Sequence, residues 1–258
     1  MPSKLRGFII DLNGTVYFKE KALAGASAAV RELRAKGYEL RFMTNTDSMS
    51  GSQLSSLVKG YGLELPAHEI YSAADASLHY LKTKGYRFAG LLPSALEEAF
   101  APYRVAGGET PQCVLIGDNR RDISYTKLDA LFQHLMAGAE LLVMQPGRHY
   151  FLADGPHLDT GAFGALFEYA TGQQATIMAK PSPAFFDVVL ADMKLSASEL
   201  MVVGDDTETD MIGAARIGAR SVLVQTGKYQ TGDEFLAKVK PDLVLPSLAD
   251  LPLALAQL

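Results

Sequence analysis

Four short apolar runs in this chain end abruptly in polar residues, and that pattern constrains the fold more than any other feature. Gly7-Phe8-Ile9-Ile10 ends at Asp11, and Tyr38-Glu39-Leu40-Arg41-Phe42-Met43 ends at Thr44-Asn45-Thr46. Leu200-Met201-Val202-Val203 ends at Gly204-Asp205-Asp206, and Ser221-Val222-Leu223-Val224 leads to Thr226-Gly227. Runs of this length, bounded by turn residues, suit buried strands better than helices. Helical patterns fill the gaps. One covers 24–36, with Val30 and Leu33 apolar and Gly37 as the stop; a second carries Leu54, Leu57, Val58 and Tyr61 on one face and stops at Gly62. A third starts near Thr209. Strands alternating with helices predict an α/β fold, a parallel sheet covered on both faces. Such sheets bind ligands beyond the carboxyl ends of their strands, where these polar residues sit.

The middle of the chain has a different texture. Residues 74–176 hold their own strand candidates at 88–92, 113–116 and 141–144, and a loop-rich stretch at 146–161. They read as a second α/β unit inserted into the first, leaving 1–73 and 177–258 as the core. A chain of 258 residues has room for both. With 48% hydrophobic and 21% charged residues, the composition is that of an ordinary globular protein. A net charge of −5 argues against nucleic acid or an anionic membrane as an obligate partner. A small phosphorylated substrate stays open, because a metal ion can reverse the sign of the field at one site. Cys113 is the only cysteine, which excludes an intramolecular disulfide and a thiolate zinc cluster. His68, His79, His134, His149 and His157 show no metal-ligand spacing. No signal-like apolar segment opens the sequence and no run approaches the roughly 20 residues of a membrane span, so a cytoplasmic location is expected.

Four elements carry the chemistry, in this order: Asp11-x-Asn13-Gly14-Thr15, Thr44-Asn45, Lys180-Pro181, and Gly204-Asp205-Asp206-x-x-x-Asp210. Each alone has an ordinary reading as a turn, a helix cap or a solvated charge. The ordered set suits phosphoryl transfer, which is mostly positioning and electrostatic stabilisation. Asp11 would attack phosphorus and form an aspartyl phosphate. Asp11 and Asp205 would hold Mg²⁺ through hard oxygens, with the main-chain carbonyl of Asn13 as a further ligand. Lys180 would add positive charge, paired with Asp210, and the Thr44 hydroxyl would donate to a phosphoryl oxygen. Ile116-Gly117-Asp118-Asn119-Arg120-Arg121-Asp122 imitates the fourth element but has no nucleophile strand of its own, so it reads as a strand-to-helix turn. His149, Tyr150, Asp154, His157 and Asp159 read individually as surface side chains, while Lys228-Tyr229 is a candidate for the pocket rim.

In these four elements and their order the chain resembles the haloacid dehalogenase (HAD) superfamily. The insertion between the second and third elements resembles the C2-type cap of subclass IIA. The resemblance implies a Rossmann-like core, a Mg²⁺ cofactor, Asp11 as nucleophile, and Thr44, Asn45 and Lys180 at the phosphate. It further implies Asp206 and Asp210 as supporting carboxylates, and a homodimer through the cap. Position 13 departs from the family, most of whose phosphatases carry Asp there as general acid and then general base. An amide cannot exchange a proton in this pH range, and loss of such a group typically costs about 10²- to 10⁴-fold. The expectation is a phosphohydrolase biased towards aryl or acyl phosphates, pyrophosphate or phosphoramidates. The alternatives are a phosphate- and metal-binding protein with little turnover, and a phosphotransferase.

Overall fold

Buried at every position, the strand Gly7–Asp11 has the continuous apolar sequence that a strand covered on both faces requires. In the computed structural model, which describes residues 4–118, 123–152, 154–230 and 239–257, this strand is internal to a six-stranded sheet. Across the sheet the order is Leu243–Leu245, Arg220–Val224, Leu200–Gly204, Gly7–Asp11, Glu39–Thr44 and Ile70–Ser72. Chain order therefore runs outward in both directions from Gly7–Asp11. That reversal is where an open α/β sheet leaves a crevice beyond its strand ends. Parallel pairing sets Ile10 opposite Val203 and Asp11 opposite Met43. The strand ends are thus level, and Asp11, Thr44 and Asp205 emerge along one edge.

The described chain divides into two compact units. The first comprises Met1–Thr44, Gly51–Tyr71 and Lys180–Leu258; the second comprises Asn45–Ser50 and Ser72–Ala179. In the first unit Phe8, Phe42, Phe185 and Phe186 are fully buried, each contributing about 1.5–3 kcal/mol by leaving water. Helix Pro183–Met193 brings in the last two, with Pro183 in its first turn, where a missing N–H goes unnoticed. The helix expected from about Thr209 starts earlier. A wide turn spans Thr207–Met211 and passes into Ile212–Ile217, because the Asp206 carboxylate accepts the N–H groups of Glu208 and Thr209 at 2.9 and 3.2 Å. Among the described residues no helix is long and apolar enough to cross a membrane.

The second unit is built on parallel strands in the order Thr176–Ile177, Glu140–Val143, Cys113–Ile116 and Phe88–Leu91. Val114, Ile116, Leu141 and Val143 pack against Leu131 and Leu135 of helix Tyr125–Met136 and Phe167 of helix Thr160–Thr171. Part of the stretch expected to be loop is instead an antiparallel hairpin, His149–Leu152 with Gly155–Leu158. Asp154-Gly155 is a hairpin turn signal; His149, Pro156 and His157 blur the alternation around it. The imitation of the fourth element begins at the end of a strand, at Ile116, but Asn119, Arg120, Arg121 and Asp122 lie outside the described residues.

Asp47 is a buried carboxyl of the second unit, only 4% exposed. The Thr160 hydroxyl donates to its Oδ2 at 2.5 Å, and the Thr160 N–H donates to Asp159 Oδ1 at 2.9 Å, so Asp159 caps the helix that Thr160 opens. Burial pushes the Asp47 carboxyl up to about 7, against the pull of the Thr160 hydrogen bond, and the charges of Asp118 and Asp159 push it further. A carboxyl raised in the folded state binds a proton that the unfolded chain releases. Its contribution to stability is therefore fully present below the ordinary value of 3.8 and is lost as pH rises towards about 7. Asp47→Asn is expected to flatten the fall in the second unit's denaturation midpoint between pH 5 and pH 7.5. An unchanged slope in the variant would contradict this account. Phe42→Ala, beside the strand end that carries Thr44, is expected to cost about 3–5 kcal/mol in urea unfolding.

Candidate active site

The site begins with a lysine surrounded by acids. Lys180 is 2% exposed, and its Nζ donates to Asp11 Oδ1 at 2.5 Å and to Asp210 Oδ1 at 2.6 Å. Burial alone would discharge the ammonium, but the carboxylates of Asp11 and Asp210 hold it charged, well above an ordinary lysine. Asp11 is pushed up to about 6, chiefly by burial, with Lys180 pulling down and Asp205 pushing up. Burial likewise lifts Asp210 to about 7 against the pull of Lys180, and Asp205 to about 6 with help from Asp210. One ammonium offsets part of a larger negative charge.

Carboxylate oxygens of Asp11, Asp205 and Asp210 lie within 4.8 Å of one another. Their hydrogen bonds distinguish them. Asp210 is engaged on both oxygens, by Lys180 on Oδ1 and by the Asp206 N–H on Oδ2 at 3.2 Å. Asp11 Oδ2 is buried with no hydrogen-bond partner among the described residues, a costly condition for a carboxylate oxygen unless something binds it. Asp205 is held from two loops, by the Thr15 hydroxyl on Oδ1 at 3.3 Å and the Lys228 N–H on Oδ2 at 2.6 Å. A hard divalent cation fits this all-oxygen set, and Asp11 Oδ2 is the carboxylate oxygen of the three acids that the described residues leave without a partner.

Glycine makes the close approach feasible. At Gly14, φ is 102°, and a Cβ there would fall 2.1 Å from Asp205 Oδ2. At Gly204 a Cβ would fall 2.1 Å from Asp210 Oδ2. The Gly14 N–H donates to the Tyr17 carbonyl at 2.7 Å, closing the turn after the strand, and the Thr226 hydroxyl donates to the Gly14 carbonyl at 2.5 Å.

Thr44 is buried at the end of its strand. Asn45 follows it, half-buried, as the first residue of the second unit. Asn13 is exposed, and its main chain bridges to Tyr17. Asp206 is held at its helix start, and the largely exposed side chain of Lys228 reaches it with Nζ at 2.8 Å. Thr15 and Thr226, not singled out as site residues from the sequence, tie the loops together. Their signal was placement alone, since each lies just beyond a strand end. In the second unit His157 bonds Asp154 at 2.9 Å and stacks near Tyr150, with ring centroids 5.4 Å apart.

Residues 8–103 match a family model described as haloacid dehalogenase-like hydrolase, and 177–251 match one described as HAD-hydrolase-like. The chain is 34% identical to mouse haloacid dehalogenase-like hydrolase domain-containing protein 2, over 92% of this chain and 90% of that one. It is 32% identical to bovine phospholysine phosphohistidine inorganic pyrophosphate phosphatase, over 95% and 92%. Among solved structures it superposes on the 4-nitrophenylphosphatase of Thermotoga maritima with a TM-score of 0.84 and 26% identity, covering 96% of both chains. The p-nitrophenyl phosphatase of Archaeoglobus fulgidus shares the fold, with a TM-score of 0.90 and 24% identity over 98% of this chain and 100% of that one.

Lys180→Met is expected to destabilise the first unit by about 3–5 kcal/mol near pH 8 in the presence of a chelator, because two buried carboxylates lose their counter-charge. Both carboxyls already stand above the ordinary range, so they become neutral as pH falls and the penalty shrinks near pH 5.5. Urea unfolding at both pH values checks this; an equal loss would contradict it.

Proposed function

We propose that this chain, which belongs to the haloacid dehalogenase-like hydrolase family in its subclass IIA, hydrolyses small phosphorylated compounds through an aspartyl phosphate on Asp11. The observation that carries this reading is the state of Asp11. One oxygen is held by Lys180 while the other is buried and unpartnered, at the reversal point of the sheet.

In the first step an Asp11 oxygen bonds to phosphorus, and the bond from phosphorus to the leaving group breaks with its electrons going to that group. Lys180 offsets the charge of nucleophile and phosphoryl oxygens, and is itself steadied by Asp210. The Thr44 hydroxyl donates to a phosphoryl oxygen, and Asn45 shapes the same pocket. Water then attacks the acyl phosphate, releasing inorganic phosphate and restoring the Asp11 carboxylate. Asp11, Asp205 and the Asn13 carbonyl would hold Mg²⁺, which supplies positive charge against the repulsion between carboxylate and phosphate. Asp206 fixes the loop that carries Asp205, and Lys228 offers a cation at the rim.

Asn13 decides which substrates suffer. Its amide cannot protonate a departing alkoxide or take a proton from the attacking water. Leaving groups that depart readily as anions, or that already carry a proton on nitrogen, need little such help. The names of the relatives, a phospholysine, phosphohistidine and pyrophosphate phosphatase and a 4-nitrophenylphosphatase, are consistent with that bias.

Purified protein with Mg²⁺ is expected to turn over p-nitrophenyl phosphate, pyrophosphate and a phosphoramidate faster than an alkyl phosphate. Asp11→Asn should abolish all of these activities, and EDTA should do so reversibly. Asn13→Asp should raise the alkyl phosphate rate selectively, by about 10²-fold or more. An equal change on every substrate would sink the leaving-group argument. A stable phosphoenzyme with no turnover on the whole panel would favour the binding-protein reading instead.

A further inference from the structure

Asn13 is followed by Gly14, and the reactivity of that pair bears directly on the site. Asn13 is exposed, and its side-chain amide makes no hydrogen bond among the described residues. Gly14 has no Cβ to shield the bond between the two residues. In an Asn-Gly pair the glycine nitrogen is an intramolecular nucleophile close to the asparagine Cγ, so no bimolecular encounter is needed. We propose that Asn13 is a spontaneous deamidation site, at which the amide is converted to a carboxylate beside the nucleophile Asp11. The consequence for catalysis rests on the reading of position 13 given under Proposed function; the modification itself does not.

The chemistry needs only water. The Gly14 nitrogen gives its proton to solvent base and bonds to Asn13 Cγ. The bond from Cγ to the side-chain nitrogen breaks, and that nitrogen takes up a proton and leaves as ammonia. Water then opens the cyclic imide at one of its two carbonyls. Opening between the ring nitrogen and Cγ gives Asp at position 13. Opening at the main-chain carbonyl gives isoaspartate, with the backbone rerouted through Cγ.

Geometry controls the rate and separates the products. The Gly14 N–H is held by the Tyr17 carbonyl at 2.7 Å, so the nitrogen attacks only when the turn from Leu12 to Tyr17 opens. Among the described residues no hydrogen bond restrains the other reactant, the exposed Asn13 side chain. The isoaspartyl product adds a methylene to a loop whose next residue already fits tightly against Asp205 Oδ2, so that fraction loses the arrangement of Asp11 and Asp205. The aspartyl product keeps the backbone and gains a group able to carry a proton.

The test is to incubate the purified full chain at mildly alkaline pH and follow residue 13 by peptide mapping with fragmentation that separates Asp from isoaspartate. In parallel, the ratio of alkyl to aryl phosphate turnover is measured. The expected result is the mass gain of an amide-to-acid exchange at residue 13, absent from Asn13→Gln. The alkyl-to-aryl ratio should rise about tenfold or more in the aspartyl fraction, approaching that of Asn13→Asp. No mass gain, under conditions that convert a synthetic peptide spanning 8–18, would overturn the proposal. Mass gain with an unchanged ratio would uphold the modification and overturn the acid/base reading of position 13.

Discussion

One buried ammonium shared by two buried carboxylates is the interaction on which the site depends. Lys180 lies between Asp11 and Asp210 with essentially no access to water. A buried ion pair is weak evidence for stability, because desolvation consumes much of the Coulombic gain. Its value here is positional. It leaves Asp11 with one oxygen engaged and one unpartnered among the described residues, while Asp210 takes Lys180 on one oxygen and the Asp206 N–H on the other. Three chemically identical side chains thereby acquire different surroundings through their neighbours alone.

The sheet makes that arrangement possible without long-range coincidence. Parallel register brings the ends of Gly7–Asp11, Glu39–Thr44 and Leu200–Gly204 level, so the residue at or just after each end reaches a common edge. The loops are then stitched by short bonds: Thr15 and Lys228 to Asp205, and Thr226 to Gly14. Each bond joins segments far apart in sequence. The acids are therefore held by a scaffold in which the strands carrying Asp11 and Asp205 are buried along their whole length and the loops are cross-tied.

Strand-end residues were legible in the sequence because a buried parallel strand writes itself as an unbroken apolar run, and its end is a visible event. Asp11, Thr44 and Asp205 are found that way. Lys180 follows only the short run Ile177-Met178-Ala179, too brief to stand out, and the order of the four elements is what singles it out. The hairpin at His149–Leu158 escaped because its polar and proline residues blur the alternation, leaving Asp154-Gly155 as the sole cue. Asp159 reads as a surface acid and is a helix cap; Asp47 reads as nothing and is a buried carboxyl. Both roles depend on partners that local periodicity cannot reveal. The mutual bonding of Thr15, Thr226 and Lys228 is tertiary for the same reason.

The boundary between the two units has a consequence for exchanging them. The second unit ends at Ala179 and the first resumes at Lys180; the first pauses at Thr44 and the second begins at Asn45. All three residues proposed for the phosphate, Thr44, Asn45 and Lys180, thus flank a junction. A chimera that grafts another insert into this core would splice directly against them, with no spacer to absorb a mismatch in backbone direction. The insert is modular by compactness yet not by its seams, and recombination breakpoints set a few residues inside the insert would leave Thr44, Asn45 and Lys180 with the core.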